Sequence, residues 1–167
     1  MRRLILGLVL LLLAACSTDS EFTMDDQMFA AMMVPHHEQA IVMSEIALEN
    51  STNPEILKLA NEIKSAQQPE IDQMLRWGGS MMGSHAGHQM AGMLSDAEIE
   101  ELKQSSGIEF DRKFLLGMIK HHEGAIEMAE MVIDSPTKAA AELGKAITIT
   151  QQQEIKLMQE LLVALSG

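Results

Sequence analysis

The chain has 167 residues, with 24 acids against 12 Lys and Arg, 15 Met, six His, one Cys and no Tyr. That length holds one domain with a single core, and a net charge of −12 argues against nucleic acid or an anionic membrane surface as partner while attracting cations. One Cys excludes a disulfide framework and a thiolate metal cluster.

The first element is a leader. Arg2 and Arg3 precede an apolar run from Leu4 to Leu13, and Leu13-Ala14-Ala15-Cys16 has the small-residue pattern of a cleavage site ending in Cys. The run is too short to span a membrane comfortably. Residues 1–15 therefore read as a bacterial lipoprotein signal peptide, Cys16 as the lipidated first residue of the mature protein, and residues 16–23 as its tether. Ser17 follows the Cys where an Asp would signal inner-membrane retention, so by resemblance to lipoprotein sorting signals the protein is expected on the outer membrane, facing the periplasm. Cleavage would remove two Arg and no acid, leaving a net charge of −14.

Thr23, followed by Asp25 and Asp26, opens a helix that runs to about Glu49 and stops before Ser51-Thr52-Asn53-Pro54. Asn53 as N-cap and Pro54 at the first helical position begin a second, reaching about Trp77, in which Pro69 predicts a kink or a break. Residues 78–94 form a loop of Gly, Met, Ser and His that carries Met81, Met82, His85, His88, Met90 and Met93. Ser95 and Glu98 make a capping box for a short helix to about Gln104, and Gly107 interrupts before a long helix from about Glu109 to Ile133. Ser135-Pro136 repeats the cap-then-Pro device for a last helix to about Leu165.

Two of these helices carry one motif. Phe29, Met33, His36, His37, Glu38, Ala40, Ile41, Met43 and Glu45 recur 85 positions later as Phe114, Met118, His121, His122, Glu123, Ala125, Ile126, Met128 and Glu130, every pair identical. The following helices repeat as well. Ile63, Gln67, Gln68, Glu70, Ile71 and Met74 match Ile147, Gln151, Gln152, Glu154, Ile155 and Met158, now 84 positions on. The fold class is accordingly all-α: an antiparallel four-helix bundle over residues 24–167, built from two helix-turn-helix halves (about 24–77 and 108–165), with a Met/His-rich connecting loop and a short extra helix.

At about 100° per residue, Met33, His36, His37, Ala40 and Met43 share an inward arc of roughly 120°, and Glu38 lies outside it. A lone His on an apolar face is usually a satisfied core residue, and a lone helical Met is usually packing; Met24, Met28, Met32, Met74, Met131 and Met158 fit that description. A repeated His pair bracketed by Met is not what a core needs, and four buried imidazoles require hydrogen-bond partners or a metal. If the two long helices face each other, four His and four Met converge on one interior region. Imidazole and thioether, with no thiol and no carboxylate seen beside the His, select copper, with Cu(I) preferred, Cu(II) possible and Ag(I) as an analogue. Zinc prefers other ligands. A di-iron site would need Glu three residues before the His, where Met33 and Met118 stand. The zinc-protease motif fails at Ile41 and Ile126.

The doubled Met-x-x-His-His, its Ala-Ile-x-Met continuation, the Gln-rich segment downstream and the Met/His loop resemble the CopM-like family of Met/His-rich, ferritin-like copper-binding proteins, over about residues 24–165. That resemblance implies a ferritin-like bundle at the cell envelope that binds copper and takes part in copper resistance. It matches Met33, His36, His37, Met43, Met118, His121, His122 and Met128 to the family's helical donor positions, and the loop donors by composition alone. The expected function is a copper-binding lipoprotein that sequesters or passes on the ion in copper homeostasis, with metal ions and copper efflux components as partners. Contact with membrane is expected through the N-terminal lipid alone, and homo-oligomers through Met-rich faces stay open. It is expected not to be an enzyme. The alternatives are a metal-dependent redox enzyme of the cuprous oxidase type and a structural adaptor bundle; Trp77 is the sole Trp, and no aromatic relay is visible.

Overall fold

The computed structural model describes residues 21–77 and 90–166, so the leader, Cys16, Met81, Met82, His85 and His88 lie outside the described residues. Five helices follow in order: α1 (Met24–Asn50), α2 (Pro54–Leu75), α3 (Asp96–Gln104), α4 (Gly107–Ala129) and α5 (Lys138–Ala164). The sequence names their starts well where a side chain caps the first turn. Thr23 and Asp26 exchange bonds in a capping box at α1, Ser95 and Glu98 do the same at α3, and Asn53 accepts from the Glu55 amide before Pro54 in α2.

Three details differ from the sequence reading. α2 continues through Pro69 without a break. Pro removes one backbone bond, but Ile56, Leu59, Ala60, Ile63, Ile71 and Met74 bury a continuous stripe on either side of it and hold the helix together. α4 begins at Gly107 and ends at Ala129, short of Ile133, in tight turns with Met131 N–H donating to Met128 and Val132 N–H to Ala129. Ser135 is not the cap of α5. Thr137 holds that position, and the Ser135 hydroxyl instead donates to Asp26 at 2.6 Å.

α2 packs on α1, α5 on α4, and α1 on α4, with α3 lying across α1 and α4. The apolar interior falls into two blocks. One contains Met43, Ile46, Ile56, Leu59 and Ile63 with Phe110, Phe114, Leu115, Met118 and Met158. The other contains Phe29, Met33, Met74 and Trp77 with Ala125, Met128, Val132, Leu143 and Ile147. Met33 shares a block with Met128, and Met43 with Met118, so α1 and α4 run antiparallel. Residues related by the repeat change blocks: Phe29 and Phe114, Ile63 and Ile147, Met74 and Met158. The duplication is thus a pseudo-two-fold axis crossing α1 and α4 midway between the blocks.

The same symmetry ties the ends together. Ser51 Oγ donates to Asp111 at 2.6 Å, and Ser135 Oγ to Asp26 at 2.6 Å, so the loop of each half is fastened to the first turn of the other's long helix. Thr137 Oγ1 also donates to Asp26, at 2.7 Å. Burial pushes the Asp26 carboxyl up, but the bonds from Ser135, Thr137 and Thr23 outweigh it and hold its pKa below the usual value.

Candidate metal centre

Between the apolar blocks the helices place a polar layer. α1 carries Met33, His36, His37, Ala40 and Met43 on its buried face, and α4 carries Met118, His121, His122, Ala125 and Met128. All four imidazoles have no solvent exposure. Glu38 and Glu123 face water, as the helical period requires. The His36 and His121 rings meet across the pseudo-axis with centroids 3.7 Å apart, and His121 and His122 are 6.3 Å apart.

Each ring is held by one nitrogen. His37 Nε2 donates to Glu70 Oε2 at 2.7 Å, and His122 Nε2 donates to Glu154 Oε2 at 2.7 Å. His121 Nε2 donates to the His36 carbonyl at 3.0 Å, and His36 Nε2 to the Ala91 carbonyl at 3.0 Å. Carbonyl and carboxylate oxygens have no hydrogen to give, so in the neutral rings the proton sits on Nε2 and Nδ1 carries the lone pair. All four Nδ1 atoms are buried without a hydrogen-bond partner. Burial is the main force lowering the pKa of His36, to about 3, with the charges of His37 and His122 adding to it and the bond to Ala91 opposing it. Burial likewise drives His121 well below the usual value, with the charges of His36, His122 and His37 adding to it. The four imidazoles therefore form one electrostatic cluster.

The thioethers divide around this cluster instead of meeting at one point. Met33 and Met128 lie on one side of the layer, Met43 and Met118 on the other, because antiparallel helices carry their preceding and following turns to opposite blocks. Met90 and Met93 are half-buried in a turn whose Met93 N–H donates to the Met90 carbonyl at 3.2 Å. This turn is docked on the layer. Gly92, at φ +80°, lies so close to α4 that a Cβ would stand 2.5 Å from the Lys120 carbonyl oxygen, and a Cβ on Gly124 would stand 2.0 Å from that of Ala91. Gln39 clamps the following residue, donating to the Leu94 carbonyl at 2.9 Å and accepting from its N–H at 2.8 Å.

The carboxylates correct the sequence reading, which placed none beside the His. Glu70 and Glu154 come from α2 and α5, outside the helical arcs of α1 and α4 that carry the His and Met. The signal was present: both belong to the second repeated block, Gln-x-x-Glu-Ile, whose doubling has no other purpose in a core. Gln67 and Gln151 of that block are also buried. Among the described residues, no group of three or more His, Cys, Asp or Glu side chains stands ready to hold a metal ion by itself, so an ion in this layer would draw on donors of other kinds as well. Imidazole lone pairs and thioethers on both sides are a donor set suited to a soft or borderline metal.

The family described as Domain of unknown function (DUF305) matches residues 26–162. A DUF305 protein from Streptomyces coelicolor, described as secreted, is 28% identical, with a TM-score of 0.79 over 86% of this chain and 94% of that one. CopM in its Cu(I)-bound form is 32% identical, with a TM-score of 0.71 over 87% of this chain and 99% of that one; CopM has also been solved with Cu(II) and with Ag bound. Among curated sequences, uncharacterized protein L153 of Acanthamoeba polyphaga mimivirus is 31% identical over 72 residues, 43% of this chain, a match that spans about half (47%) of that protein's length.

Proposed function

The chain belongs to the CopM-like family described as domain of unknown function (DUF305), and from that membership and its histidine layer we propose that it binds copper in the cell envelope, sequestering the ion or passing it on in copper homeostasis and resistance. The observation that carries this reading is the set of four buried, unpartnered Nδ1 atoms, each on a ring whose other nitrogen is committed to an oxygen acceptor. Metal-binding His residues are oriented in this way, the second N–H bonded to a carbonyl or carboxylate. Copper would be held through Nδ1 atoms drawn from His36, His37, His121 and His122, with Met33 and Met128 on one side and Met43 and Met118 on the other supplying soft sulfur that favours Cu(I). Similarity to CopM, solved with Cu(I), Cu(II) and Ag, supports the choice of metal.

The protein acts as a binder rather than an enzyme, and residues 81–93 add donors through Met81, Met82, His85, His88, Met90 and Met93. No helix among the described residues is long and apolar enough to cross a membrane. Cleavage before Cys16 and its lipidation supply the anchor, and the description of the Streptomyces relative as secreted supports a place outside the cytoplasm. The test is metal analysis of protein from copper-fed cells, for the intact chain and for the paired variants His36→Ala/His121→Ala and His37→Ala/His122→Ala. Intact protein is expected to carry copper, with nitrogen and sulfur ligation by X-ray absorption, and each pair of substitutions to weaken binding at least tenfold. Copper-free intact protein, or paired variants with undiminished binding, would overturn the reading. Cys16→Ser is expected to release the protein from the membrane fraction.

A further inference from the structure

We propose that Gln67 and Gln151 are oxygen donors through which the same layer accepts the divalent ion, an assignment that rests on the copper reading above. Each amide lies three residues before the carboxylate that holds a histidine: Gln67 before Glu70 on α2, and Gln151 before Glu154 on α5. Residues three apart share a helix face, which puts each amide within a turn of the carboxylate that holds a histidine. Each is only 2% exposed. Neither Nε2 nor Oε1 of Gln67 has a hydrogen-bond partner, and Oε1 of Gln151 has none.

A buried amide without partners weakens a fold. The neighbours on the same faces are Ile63, Ile71 and Met74 on α2 and Ile147 and Met158 on α5, so an apolar side chain would serve packing better. Yet the amide is present in both halves. A pair of space-filling Gln side chains would bond to each other or to backbone; Gln67 does neither. The arrangement makes sense when the amide oxygens have a cation to meet.

The chemistry then sorts by direction. Along the bundle the layer is bounded by thioethers, Met33 and Met128 on one side and Met43 and Met118 on the other. From the outer helices it is approached by neutral amide oxygens, because the carboxylates of Glu70 and Glu154 are occupied by His37 and His122. Cu(I) favours sulfur, whereas Cu(II) favours nitrogen and oxygen. Imidazoles bounded by thioethers along the bundle, with amides on the outer helices, would suit either oxidation state, and the amides would serve the harder one.

The test compares the intact protein with the double variant Gln67→Leu/Gln151→Leu, titrated with Cu(II) and, under a competing chelator, with Cu(I). The ratio of Cu(II) to Cu(I) affinity is expected to fall at least tenfold, the Cu(II) EPR signal to lose its oxygen-donor character, and the metal-free variant to melt higher than the intact protein because three buried polar atoms without partners are gone. An unchanged affinity ratio would overturn the proposal, as would a lower melting temperature with both affinities reduced in proportion, which is the signature of a structural role. Intact protein that binds neither ion would remove the copper reading itself; intact protein that binds both, with an unaltered double variant, would remove this proposal alone.

Discussion

The two halves of the chain present the same Met-x-x-His-His face to the polar layer, yet their first histidines are held differently. His121 donates to a carbonyl of the facing helix, that of His36, whereas His36 donates to Ala91 in the turn that joins the halves. The turn docks where one repeat position differs between the halves. Gln39 in α1 corresponds to Gly124 in α4. Gln39 grips Leu94 by both ends of its amide, and Gly124 leaves room for the backbone of Ala91 and Gly92 to rest on the helix. One turn thus seals one side of a layer that is otherwise symmetric. Identical ligand motifs can therefore differ in how they are reached and released, because accessibility is set by what covers a side chain and not by its identity.

Acid gives the largest expected effect and compares the halves directly. His36, lowered to about 3, and His121, lowered well below its usual value, stay neutral when folded but gain protons on unfolding below pH 6.5. For His36 the contribution to stability is complete above pH 6.5 and is lost as pH falls from there towards about 3, with a slope on the order of 1 kcal/mol per pH unit; His121 loses its share in the same direction. Urea titrations of the metal-free protein at several pH values should show it, and His36→Gln and His121→Gln should each remove one ring's share. A steeper loss remaining in His36→Gln than in His121→Gln would mean that the turn shields its ring less than the helices shield the other.

Gly124→Ala should undock the turn, since the added carbon falls on Ala91, and lower stability by about 2–3 kcal/mol. A melting temperature equal to that of the intact protein would show that the turn yields freely. The carboxylate fasteners are also unequal. Asp26→Ala strands the hydroxyls of Ser135 and Thr137 and the Thr23 cap, whereas Asp111→Ala strands Ser51 alone; losses of about 3 and about 1 kcal/mol are expected in denaturant melts. Equal losses would mean that the second half is fastened by more than its hydroxyl bond. Gln39→Ala removes two bonds to Leu94 at a partly buried site and should cost about 1 kcal/mol, with faster hydrogen exchange at the Leu94 amide.

Much of the fold was legible because its information is local. Capping residues at Thr23, Asn53 and Ser95 name helix starts, and the repeat names the partners of each buried face. Helix ends were less legible where a distant contact decides them: α4 stops at Ala129, and Ser135 is drawn to Asp26 more than a hundred residues earlier in the chain. At the site, the periodicity of α1 and α4 identifies His36, His37, His121 and His122 as inward, which is a property of one helix at a time. That Glu70 meets His37 depends on how α2 lies against α1, and no single-helix period carries that register. The division of the four thioethers between two blocks has the same origin, in the antiparallel crossing of α1 and α4.

Each apolar block draws on both halves: Phe29 and Trp77 with Val132 and Ile147 in one, Ile56 and Leu59 with Phe110 and Phe114 in the other. A solitary hairpin therefore owns no interior. A half-length chain is accordingly expected to bury its apolar face only against a second copy of itself. A peptide of residues 21–77 is expected to be helical only as a dimer, and a fully helical monomer in sedimentation would refute this.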